Sequence, residues 1–426
     1  MSELPDSLPS ARKAARRSPL ARAIAFLGSF GIGVVVLAFL LLLTWLGTIS
    51  QVDTSLYDVQ KKYFDSWFFL EDVGPIKVPL PGAFLLMSIL FVNMTIGGIV
   101  RIRKNWRTFG VVIAHSSILV LLAAGAVSFY FKREGNLKLH EGQTGNLFTS
   151  YHDRVIEITE VGKDSPVLMV HENQFDDLAN GRTRTFHSAS LPFELVITQY
   201  AKNSDTESAA MRPPPPGTPV VDGFYLRPQP PAMTAEANFA GVLATVREPG
   251  GPEKPVLLWE IANHPVTYRT AGGRVFTLHF KRQTWELPFS VTLTQFTHEK
   301  HPGTMRPKVF SSDVIKRDGG VDQPIKIEMN KPLRHKGYTL FQASYNDKWT
   351  PARPRSEMFS VFAVVNNPSD QWPVWATIMA AVGMTLHFSM KLAEAITRSS
   401  RQRATSPASA PAASPPAPSV PKPSAA

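Results

Sequence analysis

The sequence predicts an α+β membrane protein, with four transmembrane helices and a large extracytoplasmic, mainly-β domain between spans 3 and 4. That domain reads as sandwich-like and possibly duplicated. Three observations predict this class. Four apolar runs, 24–46, 80–100, 109–131 and 372–392, are each long enough to cross about 30 Å of hydrocarbon. Residues 132–371 break instead into short runs that alternate apolar and polar residues between turn signals, as half-buried strands do. Lys and Arg gather beside alternate ends of the apolar runs, as the positive-inside rule requires.

Composition narrows the function classes. The chain of 426 residues carries a formal charge of +11, and its mean hydropathy near zero averages very apolar segments with a polar half. The positive charge lies next to apolar spans, where topology and anionic lipid account for it better than nucleic acid does. No cysteine is present, which excludes a disulfide framework, a thiolate metal site and thiol redox chemistry. Many of the 36 prolines fall in two clusters, pointing to linkers and loops.

In chain order, residues 1–23 form a basic tail with Arg12, Lys13, Arg16, Arg17 and Arg22. The run 24–46 is longer than the 7–15 residues of a signal-peptide core and ends in Trp45, so it reads as a retained helix. Residues 47–79 are too polar to span and rich in aromatics, namely Tyr57, Tyr63, Phe64, Trp67, Phe68 and Phe69. They read as an interfacial amphipathic piece whose aromatics form either a belt or a partner surface. The span 80–100 contains Asn93 and ends in the basic loop 101–108. The span 109–131 contains His115 and a small-residue patch, Ala123, Ala124, Gly125 and Ala126, which would let helices approach closely. The span 372–392 contains His387, and Lys391, Arg398, Arg401 and Arg403 lie at or beyond its end in a tail, 393–426, expected to be disordered from about residue 404.

The basic tail, the 101–108 loop and the segment after Leu392 place both termini in the cytoplasm, with 47–79 and 132–371 outside. Within 132–371, RVIEITEV, FELVITQY, GVLATVRE, RVFTLHFK, FSVTLTQF, IKIEMN, YTLFQASY and MFSVFAVV read as strands. LPFELVITQY at 191–200 echoes LPFSVTLTQF at 287–296, and the Pro-rich insertion 212–232 reads as an exposed excursion. Gly-Gly pairs at 250–251, 272–273 and 319–320 read as hairpin turns.

The two intramembrane histidines are the sharpest functional signal, because ionisable residues inside spans usually face a bundle interior or a ligand. Counted from the cytoplasmic ends of their helices, both lie roughly 7–9 Å deep in one leaflet. Two imidazoles at one depth could take both axial positions of a haem iron. The alternative is that each makes an interhelical hydrogen bond, or that His387 snorkels to the interface; the ligand reading is preferred for His115 and the alternative for His387. His298 and His301 could chelate a metal if helical, but a turn fits the adjoining Pro-Gly better. No HExxH motif, Gly-x-Ser-x-Gly elbow or Walker-type loop occurs, so no catalytic constellation is visible.

Several segments together resemble the ResB (also CcsB) family of cytochrome c biogenesis proteins. They are LGTISQ (46–51), YFDSWFF (63–69), VNMTIGGIVRIRKNW (92–106), AHSSILVLLAAGAVS (114–128), GNLKLHEGQT (135–144), LPFSVTLTQFTHEKHPGTMRPKVFSSDVIKRDGG (287–320) and IEMNKPLRHKGYTLFQASY (327–345). The resemblance covers nearly the whole chain except the Pro-rich insertion and the tails. It implies a plasma-membrane subunit of the machinery that attaches haem to apocytochrome c, working with a CcsA-type protein that carries a tryptophan-rich WWD tract. It also implies haem as a transient cofactor and His115 as the matching ligand; His387 rests on depth alone. The eight tryptophans here form no WWD tract, and WPVW at 372–375 lacks the acidic residue, so the chain reads as one half of the machine. Reduction of the apocytochrome thiols would then fall to a separate thioredoxin-like protein.

Overall fold

The computed structural model describes residues 18–178, 182–262, 264–303, 307–346, 350 and 352–405. The expected basic tail before Ser18 and the expected disorder beyond Thr405 lie outside the described residues. The chain divides into two compact units. One holds the residues up to Phe30, Val92–Leu121 and everything from Gln371; the other holds Gly31–Phe91 and Leu122–Asp370.

Among the described residues there are six α-helices: α1 (Pro19–Leu27), α2 (Phe30–Ser50), α3 (Leu56–Val59), α4 (Ala83–Met94), α5 (Phe109–Phe131) and α6 (Trp372–Thr405). Single π-turns extend α3 over Gln60–Phe64 and α4 over Thr95–Val100. Among the described residues four segments are long and apolar enough to cross a membrane: Phe30–Ser50, Ala83–Val100, Trp106–Phe131 and Trp372–Gln402.

Boundaries differ from the sequence expectation for local reasons. The first apolar run breaks at Gly28-Ser29, where a side chain on Gly28 would meet Ile96 Cγ2 at 2.6 Å. Asn93 Nδ2 donates to Leu27 O (2.5 Å) and Ser29 O (2.9 Å) across the break, so a polar residue in an apolar span repairs the interrupted helix. The second span starts at Ala83 rather than Leu80, because Leu80 and Pro81 complete a strand. The fourth helix runs past Leu392 to Thr405.

In the larger unit, strands β1 (Phe68–Val73) and β2 (Ile76–Pro81) form a hairpin. Val36 and Leu43 of α2, Val59, Tyr63, Phe69, Ala83 and Leu86 bury one another. The interfacial aromatics therefore divide. Tyr63 is fully buried and Tyr57 stacks on His152 at 3.9 Å, whereas Trp67 and Phe68 are exposed.

The β-domain comprises β3 (Arg133–His140), β4 (Thr144–Glu160), β5 (Leu168–His171), β6 (Arg184–Phe186), β7 (Glu194–Ala201), β8 (Ser204–Ser208), β9 (Phe224–Pro228), β10 (Gly241–Arg247), β11 (Lys254–Trp259), β12 (Val266–Arg269), β13 (Val275–Lys300), β14 (Pro307–Asp318), β15 (Val321–Glu328), β16 (Leu333–His335), β17 (Tyr338–Tyr345) and β18 (Phe359–Asn366). Two cores result. The sheet β11-β10-β7-β6 packs on β5, β12, the end of β4 and the start of β13, around Phe175, Phe193, Ile197, Val242 and Phe280. The larger sheet runs β15-β14-β13-β4-β3-β18-β17-β16 and curls into a nearly closed barrel around Phe148, Phe289, Leu293 and Phe362, with Glu328 and Lys331 exchanging hydrogen bonds across the turn that leads from β15 toward β16.

Strand β13 serves both cores. Its buried residues are Phe276, Leu278 and Phe280, then Leu287, Phe289, Val291 and Leu293, a change of parity, and finally Phe296. Two register shifts against β4, at Arg282/Thr284 and Glu286/Val291, lie between the first two sets, and the second puts an odd number of extra residues into β13, which turns the pleat over. RVFTLHFK and FSVTLTQF, which read as two strands, are thus one bent strand. The sequence echo is structural: Leu191, Phe193, Leu195 and Ile197 fill the first core as Leu287, Phe289, Val291 and Leu293 fill the second. The Pro-rich insertion is only partly an exposed excursion. Its far end is β9, and Val221, Tyr225 and Leu226 are buried.

Candidate functional site

Strand β3 begins two residues after α5 ends, and its partner β18 precedes α6, with Arg133 opposite Asn366. Ser369 Oγ donates to Ala124 O (2.8 Å) and Asn367 Nδ2 donates to Ser128 Oγ (3.2 Å). The expected small-residue patch acts here rather than in a close helix crossing. Ala124 is buried, whereas a side chain on Gly125 would meet nothing within 4 Å.

His115 sits on α5, whose start is set by a reciprocal cap. Thr108 N donates to Asn105 Oδ1 (3.0 Å) and Asn105 N donates to Thr108 Oγ1 (3.1 Å). The partner of His115 comes from the π-turn ending α4. That turn bonds Arg101 N to Ile96 O five residues back (2.9 Å). Gly98 O lies 3.2 Å from His115 Nδ1. A carbonyl only accepts, so Nδ1 carries the proton and Nε2 keeps its lone pair. An imidazole with Nδ1–H bonded to a backbone carbonyl and Nε2 free is the arrangement that metal-ligating histidines use. The donor set at His115 therefore fits a haem iron.

Twin glycines make that contact. A Cβ on Gly98 would stand 2.8 Å from His115 Nδ1, and one on Gly97 would stand 2.7 Å from Gly28 O. Arg101, in the expected basic loop, donates Nη1 to Ala25 O (3.0 Å) near the end of α1, where a cation is favoured.

His387 is placed differently. A Cβ on Gly110 would lie 2.6 Å from Gly383 O and 2.7 Å from His387 N, and one on Gly383 would lie 2.7 Å from Ala114 N. Helices α5 and α6 therefore touch backbone to backbone, with His387 opposite Gly110. His115 is five residues further along α5, roughly 7.5 Å at 1.5 Å per residue. It also lies about 100° around the helix from Ala114. The equal depth expected from counting is overturned, and the two histidines face different neighbours. His387 Nδ1 is buried without a hydrogen-bond partner. Ligation through Nε2 would leave that Nδ1 proton unsatisfied, at a cost of about 1–3 kcal/mol. The set at His387 fits an iron less well.

Gly98, Gly110 and Gly383 are the residues that sequence reasoning missed. The twin glycine just before the basic loop was a visible signal; the other two looked like ordinary small residues.

In the β-domain a polar cavity of about 360 Å³ opens between α3 and β4, lined by Tyr57, Lys61, His152, Arg154, Glu172 and Tyr200 among others. Its charges are mutually engaged. Lys61 pairs with Asp176 (3.1 Å), Lys202 with Asp58, Tyr200 with Glu172, and Arg154 with Glu172 (3.2 Å) and Glu260 (2.6 Å). Burial pushes the Tyr57 phenol up and the His152 imidazole down, the latter against the pull of Glu236. Of the other expected candidates, His298 lies in β13 with Nε2 3.0 Å from Tyr345 Oη, and His301 follows in a turn, as expected.

No curated protein matches the chain. The matched segment 268–358 runs from the end of β12 to the residue before β18, through the barrel strands β13 to β17. Residues 268–358 match the family model described as ResB, a ResB-like family.

Proposed function

We propose that this chain carries haem outward from the cytoplasmic leaflet of the plasma membrane and presents it to apocytochrome c together with a CcsA-type, WWD-bearing membrane protein. In this reading both termini are cytoplasmic and the β-domain lies outside. His115 takes the haem through Nε2. The observation supporting this is its fixed tautomer, with Nδ1–H held by Gly98 O and Nε2 left free. His387 ranks behind it as a second ligand, because its buried Nδ1 has no acceptor. When bound, haem would supply an iron for His115 to hold and vinyl groups for reaction with the apocytochrome thiols. The chain's own part is to bind, orient and shield from water, and a thioredoxin-like protein keeps those thiols reduced. His115→Ala in protein co-purified with its CcsA-type partner should lower haem content and change the absorption spectrum; unchanged content and spectrum would reject the ligand role.

A second reading has one observation in its favour. The family-matched segment, 268–358, lies wholly in the β-domain and includes neither histidine-bearing span. On this reading the protein is a haem-free scaffold that docks apocytochrome or the partner subunit. Histidine substitutions would then leave cytochrome maturation intact, while surface changes within 287–345 would abolish it.

A further inference from the structure

We infer that Gly98 is a positioning residue for His115, and that the end of the π-turn of α4 supplies the carbonyl that holds the imidazole. The inference rests on His115 being the haem ligand and goes further, naming what selects its tautomer and aims its ring.

Three observations carry it. First, the π-turn Thr95–Val100 ends with Arg101 N bonded to Ile96 O, and Gly98 lies within its last four residues, whose carbonyls the helix end leaves without an intrahelical donor. In an apolar span a carbonyl without a partner is costly, so a helix end placed there needs a donor from elsewhere. Second, the group that meets Gly98 O is His115 Nδ1, at 3.2 Å and seventeen residues along the chain. Third, the approach requires glycine. A Cβ at 98 would lie 2.8 Å from Nδ1 and 3.1 Å from Cγ of the same ring, so even alanine displaces the imidazole. The neighbouring Gly97 is occupied separately, against Gly28 O, so the pair is not merely a flexible joint.

The chemistry follows. A backbone acceptor on Nδ1–H holds the ring in one tautomer, directs Nε2 away from α4 and raises its basicity as a donor. Losing such an outer partner typically weakens metal binding by about 10–100-fold. His387, whose Nδ1 has no acceptor, serves as the internal contrast.

The test uses the full-length protein with its membrane partner. Gly98→Ala should lower bound haem about tenfold or more and shift the haem spectrum and midpoint potential. Gly125→Ala, where a Cβ meets nothing within 4 Å, should change neither. If His115→Ala abolishes the haem spectrum while Gly98→Ala leaves spectrum and potential unchanged, positioning by Gly98 is refuted and the ligand role survives. If His115→Ala has no effect, the ligand role itself fails.

Should Gly98→Ala fail to fold, a second measurement decides. In His115→Gly, with Gly98 intact, added imidazole can donate N–H to Gly98 O, whereas 1-methylimidazole cannot while it ligates iron. Imidazole should restore the spectrum at a concentration about tenfold lower or better. Equal rescue by the two compounds would overturn the inference.

Discussion

Gly110 of α5 and Gly383 of α6 meet with no space for a side chain on either, since a Cβ on one would lie 2.6 Å, and on the other 2.7 Å, from the opposing carbonyl oxygen. Without a hydrophobic drive between helices in lipid, such close backbone approach is how spans associate. Gly383→Ala should therefore cost about 1–3 kcal/mol by overpacking. Thermal unfolding of the detergent-solubilised protein would measure it; an unchanged midpoint would show that the helices can slide apart without loss.

Glu260 is the shared carboxylate of a buried pair of guanidiniums, accepting from Arg154 Nε (2.6 Å) and Arg282 Nε (2.5 Å) with its side chain only 4% exposed. Glu260→Ala should destabilise the β-domain by about 3 kcal/mol or more, because Arg282 then loses its charge partner and the buried Arg154 keeps only Glu172. Denaturant unfolding followed by tryptophan fluorescence is the measurement. Glu260→Gln, which keeps the shape but not the charge, should recover only part.

Burial holds the His152 imidazole below its ordinary value while the ring stacks on Tyr57. The unfolded chain therefore protonates first, so stability is fully present above about pH 6.5 and falls as pH drops through that value. The fall ends once the folded imidazole also takes its proton. His279, lowered by burial and by Lys281, adds in the same direction. A stability–pH profile between pH 7.5 and 4.5 should show this slope, and His152→Gln should flatten it; an identical profile would remove His152 from the account.

The Pro-rich insertion should behave as two parts. Removing 213–219 should be tolerated, since those residues lie in an exposed loop closed by the β8–β9 hairpin. Leu226→Ala should cost about 2–3 kcal/mol, because Leu226 is buried against the bare backbone of Gly241. Expression and unfolding midpoints of the two variants would separate them, and equal losses would contradict the division.

Asn93→Ala should weaken the join between α1 and α2, leaving the carbonyls of Leu27 and Ser29 without their donor. A loss of about 1 kcal/mol is expected for polar contacts within membrane helices. Limited proteolysis near residue 28 should quicken; an unchanged rate would mean that the break is held by packing alone.

Period and length made much of this protein legible from its residues. The four apolar runs, the strands, the Gly-Gly hairpin turns and the echo at 191–200 and 287–296 follow from spacing that any one segment carries by itself. Exact helix starts did not, because Pro81 and Gly28 act through their neighbours. Nor did the union of two predicted strands into β13, which depends on bulges that shift pairing with β4.

Sequence alone determined that His115 and His387 are polar groups in apolar helices, because side-chain chemistry and hydropathy are local properties. Tertiary structure decided what surrounds each imidazole. The carbonyl that meets His115 comes from a π-turn seventeen residues away, and the backbone that encloses His387 belongs to a crossing of two glycines. Counting residues along isolated helices set the two histidines at one depth. Helix offset and azimuth, fixed only when Gly110 and Gly383 come into contact, separated them.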